Sequence, residues 1–249
     1  MTATAVPVAG ETVARTVRRL AGAQKGAQGA PAYSRFVNRP LGRVLAALAF
    51  HAGLTPNAVT ALSAAWTAAG IVLLAVAPPG WGAGAAITAC LVLGYALDSA
   101  DGQLARLRGG GSPAGEWLDH VVDSAKIASI HLAVLLTLSR VDDLARGWLL
   151  VPLAFSVVAV VHFSATLLNE ALRAQHGVRT RAARSDARPG VLRSLLVAPT
   201  DYGVLCLVFV LLGAPAVFLG AYGLLGLGTA AYVALALRRW YLEMGALPR

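Results

Sequence analysis

The sequence predicts an all-α integral membrane protein: six transmembrane helices preceded by an amphipathic interfacial helix, with both termini cytoplasmic. Three observations carry that expectation. The 249 residues are 57% hydrophobic and only 13% charged, with a mean hydropathy of +0.66, far more apolar than a soluble domain of this size. Six stretches, near 57–77, 83–105, 115–138, 147–168, 201–213 and 216–237, approach the roughly 20 apolar residues that cross a hydrocarbon core of about 30 Å. Finally, 18 of the 21 Lys and Arg residues fall on one side of such a six-span chain. Arg140 and Arg146 fall on the other side, and Lys126 lies within a span. That asymmetry is the positive-inside pattern.

The formal net charge of +9 points first to nucleic acid, but sorting by topology assigns the surplus to anionic membrane lipids instead. Cys90 and Cys206 both lie in expected spans, without metal-ligand or disulfide spacing, and read as inert buried thiols.

Taken in order, residues 1–32 are rich in Ala, Gly and Thr, lack the apolar run of a cleavable signal, and read as a disordered tail. Residues 33–240 form one domain. In its opening stretch, 33–50, Arg35, Arg39 and Arg43 recur every four residues beside Phe36, Val37, Val44, Leu45 and Leu48. This suits a helix lying on the cytoplasmic leaflet. "LTPNAVT" (54–60) is a helix start, with Thr55 as N-cap and Pro56 in the first turn. "GGGSP" (109–113) is the turn between the second and third spans. Residues 169–200 make a basic connector, and 241–249 a C-terminal tail.

The informative stretch is "DSADGQLARLRGGGSPAGEWLDHVVD", residues 98–123, which holds five of the twelve acidic residues. Asp98 and Asp101 share one helical face with Ala105; Asp119 and Asp123 share a face of the next helix with Gly115. A tight turn makes these helices antiparallel neighbours, so both faces converge on one cavity. Each ionised Asp within a span costs roughly 2.5–3.5 kcal/mol on insertion scales, so four of them must face a polar space rather than lipid. Their mutual repulsion is relieved by one or two divalent cations, and all-oxygen ligation suits Mg²⁺ or Mn²⁺ held against substrate phosphates. A cation-coupled transporter would use the same acids. Membrane prenyltransferases also bind diphosphates through Asp and Mg²⁺, but on motifs far apart in sequence.

The stretch resembles the signature of the CDP-alcohol phosphotransferases, D-x2-D-G-x2-A-R-x8-G-x3-D-x3-D, with Asp98, Asp101, Gly102, Ala105, Arg106, Gly115, Asp119 and Asp123 at every fixed position. "TPN" at 55–57 resembles the family's usual start to its first span, so the likeness covers about residues 33–240. It implies transfer of a phosphoalcohol group from a CDP-linked donor, such as CDP-diacylglycerol, to an acceptor hydroxyl with release of CMP. It further implies that Asp98, Asp101 and Asp119 hold metal, and that Asp123 is the general base and also a metal ligand. Gly102, Ala105 and Gly115 would admit the nucleotide, and a homodimer is usual for the family.

Around that motif several residues have two readings. Arg106 contacts phosphate or cytidine, or snorkels to the interface. Asn57 belongs to the donor pocket or simply starts a helix. Lys126, three after Asp123, touches the acceptor's phosphate or balances the excess of acid. Arg179, Arg181, Arg184, Arg188 and Arg193 of the connector bind a phosphorylated acceptor or are ordinary cytoplasmic charge, with Arg193 the first choice. "GEWLDH" (115–120) resembles the choline- and ethanolamine-phosphotransferase branch, which joins a CDP-headgroup to diacylglycerol. Glu116 and His120 are expected to turn off the motif face, and His131 and His162 to be bundle residues.

Overall fold

The computed structural model describes residues 11–22, 31–142, 144–178, 194 and 197–248. It is helical throughout, with no strand among those residues. The helices are α1 (Val13–Gly22), α2 (Arg39–His51), α3 (Pro56–Val76), α4 (Trp81–Leu107), α5 (Pro113–Leu138), α6 (Leu150–Gln175), α7 (Tyr202–Val208) and α8 (Pro215–Gly245).

Local chemistry sets the helix starts that matter for the site. The Ala58 N–H donates to Thr55 Oγ1 at 3.2 Å at the start of α3, and the Gly115 N–H donates to Ser112 Oγ at 3.1 Å at the start of α5. Pro56 and Pro113 follow their caps, where the missing N–H costs nothing. Between α4 and α5 the chain reverses through Gly109 (φ +96°) and Gly110 (φ +134°), a backbone shape that only glycine adopts without strain.

Five segments are long and apolar enough to cross a bilayer: α3, α4, α5, Arg146–Gln175 and α8. The sixth expected span, 201–213, falls short. It is a 7-residue α-helix continued by a five-residue 3₁₀ turn, Phe209–Gly213. Such a piece reaches only about 20 Å. Asp201 caps its start, accepting from the Gly203 N–H at 3.1 Å, and Pro215 opens the next helix two residues after its end. The segment is wedged inside the bundle: Cys206 and Phe209 are fully buried, and a Cβ on Gly84 of α4 would meet the Phe209 carbonyl at 2.5 Å.

Leu74, Leu91, Ile130, Val134, Phe209, Phe218 and Tyr222 make the core between α3, α4, α5, α7 and α8. Val72, Val76, Val157, Leu224, Leu227 and Leu235 face outward. Apolar side chains on both the inner and outer faces are what a lipid-embedded bundle requires.

Helix α2 carries Leu41, Val44 and Leu48 exposed while Gly42, Ala46 and Phe50 are buried, and Phe36 and Val37 extend the outward apolar face. It crosses α4 at close range. A Cβ on Gly42 would stand 2.7 Å from Ser99 Cβ, and Gln103 Nε2 donates to the Arg39 carbonyl at 3.1 Å. Part of the expected disordered tail is instead ordered. Val13, Val17 and Leu20 form an i, i+4, i+7 stripe that packs α1 onto α2. Thr16 Oγ1 lies 3.0 Å from His51 Nε2, and the Arg19 and Arg108 guanidiniums both lie over the Phe50 ring. At the other end α8 continues to Gly245, five residues into the expected tail, where Arg173 and Arg239 both bond Glu243.

Candidate active site

Helices α4 and α5 bring the four aspartates together. Asp98 lies within electrostatic reach of Asp119 and Asp123, and Asp101 within reach of Asp98 and Asp119. Asp101 is almost fully buried, and Thr60 of α3 donates to its Oδ2 at 2.6 Å. Lys126 bonds Asp123 and stands 3.6 Å from Asp98, so one ammonium links the two helices through two carboxylates. It is nearly buried, and the Tyr202 ring covers it at 4.9 Å. Of the two sequence readings for Lys126, this geometry fits the balance of acid.

His120 departs from expectation. Consecutive helical positions point about 100° apart, which suggested that its ring would turn away. The imidazole nevertheless reaches back: ligand atoms of Asp119, His120 and Asp123 lie within 4.8 Å of one another. Glu116 remains outside this group, exposed and 4.0 Å from His120.

The residues expected around the donor gather at the same end of the bundle. A Cβ on Gly115 would lie 3.1 Å from Asn57 Oδ1, so the starts of α3 and α5 touch there. Gly102 faces α4's own Arg106, whose Nη1 would be in ordinary contact with an added Cβ at 3.6 Å. Arg106 Nε is buried and has no hydrogen bond among the described residues, and the Arg39 charge lies within its reach. Arg39 itself is half-buried, which lowers its pKa from the ordinary value because burial penalises the charged form. Ala105 sits one turn beyond Asp101 on α4 and is partly buried. Arg193, with the other connector arginines 179, 181, 184 and 188, lies outside the described residues.

Sequence reasoning passed over an aromatic wall beside the acids. Tyr33 stacks on Tyr95 at 6.4 Å, and Tyr95 meets Tyr202 edge-on at 5.1 Å. Asp201 ties this wall to the interfacial segment by accepting from the Ser34 N–H at 3.1 Å. These residues come from three segments far apart in the chain, and no local spacing announces them. A cavity of about 350 Å³ opens from Asp98 and Asp123 into the bundle.

Two solved structures share this arrangement of helices. Both are of Mycobacterium tuberculosis phosphatidylinositol phosphate synthase (PgsA1), one in complex with manganese and citrate, the other with CDP-DAG bound. Each is 22% identical, with a TM-score of 0.53. The match covers 82% of this chain and 89% of the manganese-bound chain or 94% of the CDP-DAG-bound one. At that identity the likeness is one of fold. No curated protein matches the sequence significantly. The profile of the CDP-alcohol phosphatidyltransferase family matches residues 53–240, about three quarters of the sequence and all of the aspartate hairpin, and the chain therefore belongs to that family, an enzyme class that transfers substituted phosphate groups.

Proposed function

We propose that this enzyme moves a phosphoalcohol group from CDP-diacylglycerol, or a similar CDP-linked donor, to an acceptor hydroxyl with release of CMP, and that it needs Mg²⁺ or Mn²⁺. The observation that carries the reading is the set of four carboxylates on two antiparallel helices, with Asp101 oriented by Thr60 and Asp123 by Lys126. The donor set fits a divalent cation. Carboxylate oxygens are hard ligands for such ions, and those of Asp119 and Asp123 lie within 4.8 Å of each other and of an imidazole nitrogen of His120, a borderline donor.

Asp98, Asp101 and Asp119, with Asp123, would hold one or two ions. When bound, the metal neutralises diphosphate charge and aligns the displacement. Asp123 takes the proton of the acceptor hydroxyl as its oxygen bonds the phosphorus distal to cytidine. The bond from that phosphorus to the bridging oxygen breaks, and CMP departs with the electron pair. Arg106 pairs with the donor's phosphates, and its unbonded Nε supports that role. Asn57, Gly102, Ala105 and Gly115 leave the nucleotide room. Lys126 acts as the tie between Asp98 and Asp123 rather than as an acceptor contact; Arg193 remains a candidate acceptor contact from the connector.

Six crossings with cytoplasmic termini, the active site at the inner leaflet of the cell membrane, anionic lipids on the basic face and a homodimer complete the proposal. The charge asymmetry supports the orientation. The short Tyr202–Gly213 piece would count as a crossing through local thinning of the bilayer.

The test is CMP release by purified protein with Mn²⁺ and CDP-diacylglycerol across a panel of acceptors, with CDP-choline plus diacylglycerol in parallel. Release that depends on both an acceptor and the metal supports the reading. Undiminished release after chelation of divalent ions would refute it.

A further inference from the structure

The cavity beside the aspartates has walls of unusual chemistry. Along α5 it runs from Asp123 past Lys126 to His131, eight residues or about 12 Å. Phe155, His162 and Phe163 of α6 face it. His131 is fixed on two sides: Nδ1 is 2.6 Å from the Tyr222 hydroxyl, and Phe155 stacks on the ring at 4.2 Å. Its other nitrogen has no hydrogen bond among the described residues, which makes it a held polar tip in an aromatic wall. His162 is clamped in the same way, stacked on Trp240 and edge-on to Tyr232.

The charges lining this space are equally informative. Among the described residues the cations on the cavity wall reduce to Lys126, which Asp98 and Asp123 already bind. Asp201 adds a third carboxylate, and it occupies the N–H groups of Gly203 and Ser34 that would otherwise meet an anion. Among the described residues a phosphate monoester carried into this space would meet no free guanidinium or ammonium, and burying it unpaired is costly.

We propose that this cavity receives the acceptor, and that the acceptor is an uncharged alcohol, bearing no phosphate of its own, whose body packs on the aromatic walls while a second polar group bonds His131. The proposal rests on the transferase reading above and adds the substrate class. It makes His131 a specificity-determining residue at the far end of the cavity from the reacting hydroxyl.

The experiment uses the full chain with Mn²⁺ and CDP-diacylglycerol and compares two matched pairs of acceptors, glycerol with glycerol 3-phosphate and inositol with inositol 1-phosphate. The unphosphorylated member is expected to give at least tenfold higher kcat/KM in the better pair. His131→Phe is expected to raise that acceptor's KM tenfold while leaving the donor's KM within twofold. His131→Gln, which keeps a hydrogen-bonding tip, should recover most of the loss. Preference for a phosphorylated member would overturn the proposal while leaving the transferase reading intact, and would point to the connector arginines. Turnover with none of the four, although CDP-diacylglycerol still binds, would overturn it too. Failure to bind CDP-diacylglycerol at all would instead strike the transferase reading. Equal effects of His131→Phe on both KM values would reduce His131 to a packing role.

Discussion

Thr60 donates its hydroxyl to Asp101 Oδ2 across 2.6 Å, joining the first long helix to the acidic face of the second. The bond fixes one carboxylate oxygen of a nearly buried residue, and the Gly102 N–H donates to the other, so both oxygens are oriented toward fixed partners. Partners that orient metal-binding carboxylates typically change affinity or activity 10–100-fold when removed. Thr60→Val keeps the side chain's shape, so the chain should fold while the Mn²⁺ needed for half-maximal CMP release rises about tenfold. An unchanged metal titration would show that Thr60 serves only packing.

Asp123→Asn removes a proton acceptor without removing bulk. Turnover is expected to fall by about a thousandfold or more, in the range of a lost general base, with CDP-diacylglycerol affinity within a few-fold of the parent. Paired measurement of CMP release and donor binding separates the two effects. Parental rates in the variant would take Asp123 out of the proton transfer.

Lys126→Met leaves Asp98 and Asp123 without their shared counter-ion. Breaking a buried ion pair by removing one partner costs on the order of 3 kcal/mol, so the melting temperature in detergent should drop clearly. Added Mn²⁺ should restore more of that loss than it adds to the parent, because ligand binding to the folded state stabilises by mass action. Equal metal-induced shifts in the two proteins would count against a metal site at these carboxylates.

Gly42→Ile tests the close crossing of α2 over α4. The new side chain would press on Ser99 and on Gln103, whose amide bonds the Arg39 carbonyl. Both thermal stability and CMP release should fall, by several degrees and by at least tenfold. Since Gly42 is remote from the four carboxylates in sequence, a loss of activity with unchanged stability would reveal a direct role for α2 in substrate binding.

Much of this organisation is legible in the chain because its signals are local. Helices α3, α4 and α5 follow apolar runs, α3 and α5 with a side-chain cap and a proline at their starts, and their observed limits lie within two residues of those expected. The aspartate hairpin is legible for the same reason, since four acids and a glycine turn lie within 26 residues. What escapes depends on tertiary packing. The Val13, Val17 and Leu20 stripe of α1 is only three residues long and gains meaning from the α2 surface beneath it. The 201–213 stretch is apolar enough to read as a span, yet its length is spent partly in a 3₁₀ turn wedged against Gly84. His120 illustrates the limit of helical-wheel reasoning, which fixes the direction of Cβ and not the reach of an imidazole.

The family profile begins at residue 53, yet the surface of α4 that leads to the aspartates is roofed by what comes before. With α1 and α2 removed, Gln103, Ala100 and Leu104 would be stripped of their cover. A recombinant fragment trimmed to the profile's own borders would therefore expose an oily strip beside its aspartate hairpin. Anyone shortening this enzyme for crystallisation should begin the cut before Val13.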